Sequence, residues 1–282
     1  MPQPKPLVSL IIDLRSELSL AHKIAQTLET KAGYAKYELL LLLHDQGLEQ
    51  SASHSGARRR EEVRSNVRLI PLAAVLSATE RLNEAAKLAR GKILGFLSRE
   101  AAPASEDWMR EIVSRLCRPG VGTVGGRLHF DGNVILHAGY LVDARKRLTL
   151  SFHGLAANRP GYFLWPHLAR TVDALDELCL FTHAELFAVG NGFDATLPGS
   201  FAQDYCLRLR EKGRRSVFTP FAKFVLTALP ELPGVRDNIL VDPAFTERWR
   251  TRLEPCHPDL LAIPGGWSLA WAEDAPKHTI NF

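Results

Sequence analysis

Lys92-Ile93-Leu94-Gly95-Phe96-Leu97-Ser98-Arg99-Glu100 is the stretch that decides how this chain folds. Its apolar part is short, it follows Gly91, and it breaks off at a serine, an arginine and a glutamate. A run of that length, bounded in that way, reads as a strand buried on both faces. Working back, Thr79 to Arg90 has the spacing of a helix, with Gly91 as its stop signal. Before it come a strand, Val67-Arg68-Leu69-Ile70, and a charged helix over Ala57 to Ser65. Five leucines, Leu39 to Leu43, make a second buried strand, Ser19 to Thr30 a helix, and Val8 to Ile12 the first strand. Strands and helices alternating at this spacing predict an α/β fold, a mostly parallel sheet flanked by helices. Such sheets bind ligands beyond the carboxyl ends of their strands. That singles out Asp13-Leu14-Arg15, His44-Asp45-Gln46 and Ser98-Arg99-Glu100.

Working forward, the pattern changes. Asp107 to Leu116 is a helix, and Gly122 to Phe130 with Val134 to Val142 forms a strand pair around Asp131-Gly132-Asn133. Ala144 to Arg170 has little periodicity, Asp204 to Lys212 is a short helix stopped by Gly213, and Ser216-Val217-Phe218 is a strand leading into Pro220. From Leu229 the chain is rich in proline and irregular, apart from a helix around Phe245 to Leu253. The expected organisation is one domain over residues 1–228 with a C-terminal extension, 229–282, packed on it.

Composition narrows the function. Of 282 residues, 46% are hydrophobic and 23% charged, an ordinary globular balance. The 35 basic residues exceed the 31 acidic ones by only four, and no basic stripe with interleaved aromatics occurs, which argues against nucleic acid. Arg58-Arg59-Arg60 runs directly into Glu61-Glu62 and reads as a solvated helix face. The four cysteines form no CxxC pair, so neither a disulfide framework nor a zinc site is expected, and a reducing cytoplasm is the default. No apolar run approaches the roughly 20 residues that span a bilayer. Contact with the inner membrane face as a peripheral protein stays open.

With this order in hand, the chain resembles glycosyltransferase family 2, nucleotide-sugar transferases of the GT-A type, from about Leu7 to Pro220. Pro6 to Ile12 is similar to that family's first strand, and Tyr34 to Glu38, the leucines and Asp45-Gln46-Gly47 to its second strand and nucleotide loop. Arg81-Leu82-Asn83 with Ala89-Arg90-Gly91 resembles the helix before the metal strand. Val121 to Leu128 with His137-Ala138-Gly139 resembles a segment of one bacterial branch, and Gly192-Phe193-Asp194 a segment written GGFDE. Asp204 to Arg210, with Gly213-Arg214 and Pro220, is similar to the helix and strand that follow the catalytic base.

The resemblance implies an inverting transfer from a nucleoside diphosphate sugar, with Mg²⁺ or Mn²⁺ on the leaving diphosphate. Hard cations take carboxylate oxygens, which the family supplies as an Asp-x-Asp cluster after the fourth strand. Here that place reads Ser98-Arg99-Glu100, so Glu100 alone could hold a metal, and no Asp-x-Asp occurs in the chain. Arg99 is either a surface neighbour of Glu100 or a fixed guanidinium holding phosphate in place of the metal. The base that takes the acceptor proton falls on Ala202 when Cys206 and Arg208 are matched; a shifted register would put it on Asp204. The family's Thr-Gly-Ala-Cys turn reads Asp176-Glu177-Leu178-Cys179, whose two acids are either a relocated base or a solvated pair. The usual histidine after the last strand is replaced at Leu226. Asp13, Arg15, Asp45 and Arg99 remain as nucleotide contacts, with Asp45 equally readable as a loop aspartate capping the next element, and His137 is either a site residue or a satisfied structural one.

Four altered places in a preserved frame imply a catalytically impaired or inactive member of a glycan or polysaccharide pathway, kept to bind a nucleotide sugar, a glycan or a partner protein. The alternative is an active, atypical and metal-independent transferase. No cofactor is certain; Mg²⁺ or Mn²⁺ belongs to an active site.

Overall fold

The leucines of Leu39 to Leu43 point alternately into two separate cores, Leu40 and Leu42 into one and Leu39, Leu41 and Leu43 into the other. This is why the run is unbroken: a parallel strand between two helical layers has no solvated face. The computed structural model describes residues 5–44, 66–130, 133–228, 235–236 and 239–256. Asp45 and its loop, the helix expected over Ala57 to Ser65, the Asp131-Gly132 part of the turn and most of the tail lie outside those residues.

The first half is β1 (Val8–Asp13), α1 (Ser19–Lys31), β2 (Tyr37–His44), β3 (Val67–Leu72), α2 (Ala78–Leu88) and β4 (Ile93–Leu97). Strands β1, β2, β3 and β4 pair entirely in parallel, in the order β4-β1-β2-β3. Ser77 and Glu80 form a reciprocal capping box that starts α2. That helix ends two residues before the expected Arg90, because the chain there is pinned elsewhere. Arg90 N donates to Glu38 Oε1 (2.6 Å) and Gly91 N to Ser9 Oγ (2.8 Å). A Cβ at Gly91 would lie 2.6 Å from Ser9 N, so the stop signal is also a close approach to β1.

The second half runs β5 (Ala101–Pro103), α3 (Trp108–Leu116), β6 (Val121–Phe130), β7 (Val134–His137), β8 (Tyr140–Val142) and β9 (Leu148–Leu150). After a 3₁₀ helix (Tyr162–His167) come β10 (Arg170–Val172), β11 (Cys179–His183), α4 (Ala184–Val189), α5 (Phe201–Glu211) and β12 (Arg215–Leu226). The last described elements are β13 (Val235–Arg236), β14 (Ile239–Leu240) and α6 (Pro243–Trp249). The main sheet is ordered β10-β12-β6-β11-β4-β1-β2-β3, with β5 on β12 and β7 on β6. Strand β11 is antiparallel to both β4 and β6, which leaves β6 and β12, a parallel pair, pointing the same way as β4. A second small sheet is ordered β13-β14-β9-β8. This is an α/β fold with a mostly parallel central sheet flanked by helices.

Three expected elements differ. The strand expected over Val134 to Val142 is two strands in different sheets, broken at Gly139, whose φ is +90° and where a Cβ would lie 2.6 Å from Val172 Cγ1. The strand expected to end before Pro220 runs on to Leu226; Pro220 falls in a register shift between Thr219 and Lys223, where no ladder donor is needed. Helix α5 starts three residues before Asp204, bringing Phe201, Ala202 and Gln203 into its buried first turn.

Fragments far apart in sequence meet as paired supports. Asn83 of α2 donates to Phe193 O (2.8 Å) and accepts from Phe193 N (2.9 Å), so the Arg81-Leu82-Asn83 and Gly192-Phe193-Asp194 segments hold each other.

Candidate functional site

The carboxyl ends of β1 and β4 lie side by side, and their polar residues form one closed network. Arg99, just after β4, donates from Nε to Glu100 Oε1 (2.7 Å) and from Nη1 to Leu14 O (3.3 Å). The same Nη1 lies 2.7 Å from Glu17 Oε1. Glu100 accepts from Arg99 on one oxygen and from the Ser98 hydroxyl on the other. Burial pushes the Glu100 carboxyl up, but the hydrogen bonds from Ser98 and Arg99 outweigh it and hold it below the usual carboxylate range. Burial pulls the Arg99 guanidinium down, and Glu100, Glu17 and Asp13 more than offset that.

Asp13 is engaged as well. Its Oδ2 accepts from Arg81 Nη2 (2.6 Å) and Nε (3.0 Å), and its Oδ1 accepts from Arg15 N (2.9 Å). Arg15 is exposed, with its backbone at φ 56° and its carbonyl accepting from His44 N (2.7 Å). Glu17 and Arg81 complete this network. Glu17 carries no motif of its own, and Arg81, read only as part of the Arg81-Leu82-Asn83 segment, gives no sign of its ion pair with Asp13 until the fold brings both to the strand ends.

A divalent cation needs several hard oxygen donors directed at one point. Among the described residues no group of three such side chains assembles, and Glu100 already uses both oxygens. The described residues at these strand ends do not fit a divalent cation.

A second polar cluster lies beside the first, because Ser98 N donates to Leu178 O (3.0 Å) in the turn before β11. Asp176, in that turn, accepts from Tyr140 OH (3.1 Å), Leu178 N (3.1 Å) and, weakly, Gln203 Nε2 (3.5 Å). Burial, then the charge of Asp176, pushes the Glu177 carboxyl well above the usual range. His137 packs edge-on against Tyr140, with ring centroids 5.2 Å apart, and its Nδ1 accepts from Gly139 N (3.2 Å). Burial pushes the His137 imidazole down to about 4. Its Nε2 and Gln203 Oε1 are buried without a partner. Gln203 and Tyr140 were not singled out by the sequence; the adjacency of Gln203 to Ala202 was the available signal.

Asp204 belongs to neither cluster. It is fully buried and accepts from Arg208 Nε (2.7 Å), Arg248 Nη1 (3.1 Å) and Trp249 Nε1 (2.9 Å), so it ties α5 to α6. Ala202, beside it, is also fully buried and offers only a methyl group.

No family model matches the chain. Among curated proteins it is 28% identical over 223 residues to the uncharacterized protein y4gI of Sinorhizobium fredii, covering 77% of this chain and 24% of that protein. It is 25% identical over 226 residues to the O-antigen biosynthesis protein RfbC of Myxococcus xanthus, covering 78% of this chain and 17% of that one. The chain thus spans a quarter or less of the length of these relatives. Among solved structures, GalNAc-T7 with UDP, GalNAc and Mn²⁺ has a TM-score of 0.60 at 13% identity, covering 82% of this chain and 45% of that one. Mannosyltransferase PcManGT from Pyrobaculum calidifontis, in complex with GDP-Man and Mn²⁺, has a TM-score of 0.53 at 16% identity, covering 82% and 59%. S. aureus TarS 1-349 has a TM-score of 0.51 at 12% identity, covering 78% and 60%. No helix among the described residues is long and apolar enough to cross a membrane. The chain has the GT-A-like fold of these glycosyltransferases.

Proposed function

We propose that this chain is a glycosyltransferase-like module of glycan biosynthesis in which nucleotide-sugar transfer is impaired or lost. One observation carries the reading: the Arg99 guanidinium, at the place the resemblance gives to a metal, is already neutralised by Glu100 and Glu17. A unit charge about 4 Å away is worth about 4 kcal/mol at an effective dielectric near 20, and a divalent cation roughly twice that. A leaving diphosphate here would meet Asp13, Glu17 and Glu100 against Arg15, Arg81 and Arg99, which leaves no net positive charge. Arg99 therefore does not replace the cation's field. Ala202 cannot take a proton, and Asp204 has donors on both oxygens.

The glycan pathway is supported by the RfbC relative and by the shared fold, and a nucleotide sugar, a glycan or a partner protein of that pathway is what such a module would bind. The test is nucleoside diphosphate release from a panel of nucleotide sugars, with and without Mn²⁺. The expected result is no release above the buffer blank. Release that disappears in Arg99→Ala would overturn the reading. Mn²⁺ with a nucleoside diphosphate is likewise expected to leave the melting temperature unchanged, whereas a ligand at 100 times its Kd would stabilise the fold by about 2.7 kcal/mol.

A specific observation favours a second reading, an active and metal-independent transferase. Asp176 and Glu177 lie in the turn whose Leu178 O accepts from Ser98 N, and this closeness to the strand ends supports reading one of them as a relocated base. A carboxyl raised as Glu177 is acts as a base only above its raised pKa, so activity would climb with pH through that value. Transfer with a flat profile from pH 5 to 8, or transfer kept by Glu177→Gln, would exclude it.

A further inference from the structure

Among the described residues, Arg127 is a buried charged residue whose environment the fold does not complete. It lies on β6, is 4% exposed, and its Nη1 donates to Pro166 O (3.2 Å). Its Nε is buried with no partner, and no carboxylate among the described residues counters it; burial alone lowers its pKa. Arg170, nearby, also has a buried Nε without a partner, but the rest of its guanidinium is better satisfied. Its guanidinium reaches Trp165 O, Ala138 O and Ser151 Oγ and stacks on Phe218 at 4.4 Å. A buried guanidinium with neither carboxylate nor full hydrogen bonding is costly, and an anion would offset that cost.

One neighbour has the same sign, and a second is a histidine that burial pushes down to about 4 and so keeps neutral. Lys223 of β12 is the register partner of Arg127 and is exposed. His129, two residues further along the same face of β6, is 5% exposed; its Nδ1 lies 2.9 Å from Asn133 Oδ1, and its Nε2 is buried without a partner. Along β12 exposure alternates from Phe221 to Leu226, so Phe221 (54% exposed), Lys223 and Val225 share the outward face. The wall is continuous with the strand-end network, since β5 follows Glu100 and pairs with β12, and Thr227 N donates to Glu100 O (2.9 Å).

We propose that Arg127, with Lys223 and His129, forms an oxyanion subsite on the β6–β12 wall that takes the carboxylate or phosphate of an acidic sugar. The guanidinium fork matches two oxygens of either group. Lys223 adds a mobile positive charge at the rim, and Phe221 offers an apolar face to the C–H side of a pyranose ring. The sugar rests on the glycan reading above; the anion does not, and the subsite stands whether or not transfer occurs.

The test is calorimetric titration and thermal melting at low ionic strength with glucuronate, glucose 6-phosphate, inorganic phosphate and glucose as probes. Saturable binding of glucuronate or of the phosphates, with none for glucose, is the expected result, and which anion binds identifies the source of the charge. Binding of inorganic phosphate but not of either sugar acid keeps the anion subsite and overturns the acidic-sugar assignment. No anion binding, or equal binding of glucose, overturns the proposal and leaves the transferase-like reading to its own donor assay. Arg127→Met is expected to weaken anion binding by at least about tenfold and to melt no lower than the wild type without ligand. A melt several degrees lower would assign Arg127 to holding Pro166 and overturn the proposal. Lys223→Met, at an exposed position, keeps the fold and is expected to weaken the anion several-fold; unchanged affinity there also counts against the subsite.

Discussion

Two arginines near the carboxyl ends of strands in one sheet meet opposite circumstances. Arg99, after β4, has Glu100, Glu17 and Leu14 O within reach and remains partly in solvent. Arg127, near the end of β6, is almost wholly buried and, among the described residues, has only Pro166 O. The accessible charge is therefore already neutralised, and the buried one is not. The resemblance directs attention to Arg99, because the family keeps its metal there. Elementary electrostatics directs it to Arg127, because an unpaired buried cation is the rarer and costlier arrangement. Position in a motif and availability of charge are separate properties, and in this chain they part.

The comparison can be broken most forcefully at a third setting, where burial and pairing are both complete. Asp204 holds Arg208, Arg248 and the Trp249 indole, so Asp204→Ala removes one acceptor from each of two guanidiniums and the acceptor of a buried indole N–H. The expected loss is about 3–5 kcal/mol in urea denaturation. A loss under about 1 kcal/mol would show that pairing matters little even in the core, and the contrast between Arg99 and Arg127 would then lose its physical basis.

The next effect comes from buried bases kept neutral. His137, pushed down to about 4 from an ordinary 6.5, binds fewer protons in the folded chain than in the unfolded one between those values. Its contribution is thus present above pH 6.5 and lost as pH falls through about 4, on the order of 2 kcal/mol between pH 7 and pH 5. Glu177 has the opposite sign: raised from 4.5, its contribution is present below that value and lost as pH rises through its folded pKa. The histidine term is isolated by comparing wild type with His137→Gln, which should lose less stability on acidification to pH 5. Equal losses would show that His137 is not held neutral in the folded chain.

Much of the fold was legible because it rests on signals local in sequence. The leucines of β2 and the Gly91 stop signal after α2 are written within a few residues. What was missed depends on distant chain. The break at Gly139 follows from Val172, more than thirty residues on, and Glu17 and Arg81 enter the strand-end network only when the loop after β1, α2 and β4 converge. The site was legible in its absences: Ala202 and Arg99 could be read as departures from a pattern. Where Asp176 finds its partners could not be read, since Tyr140 and Gln203 reach it from two other elements. Arg127 passed as one residue of a matching segment, because only burial without a partner distinguishes it.

The smallest expected effect sharpens the comparison from the other side. Arg99→Ala removes a guanidinium whose side chain is 19% exposed and whose partners Glu100 and Glu17 are 22% and 49% exposed. Pairs this close to solvent contribute about 1 kcal/mol or less, and Glu100 keeps the Ser98 hydroxyl after the change. Urea denaturation should therefore place the variant within about 1 kcal/mol of the wild type. A loss above about 2 kcal/mol would mean that Arg99 bridges β1 and β4 as a structural member, and its place at the strand ends would need no ligand to explain it. A small loss leaves Arg99 as a neutralised charge at the strand ends, where a family resemblance expects a cation and the surrounding carboxylates leave no net positive charge.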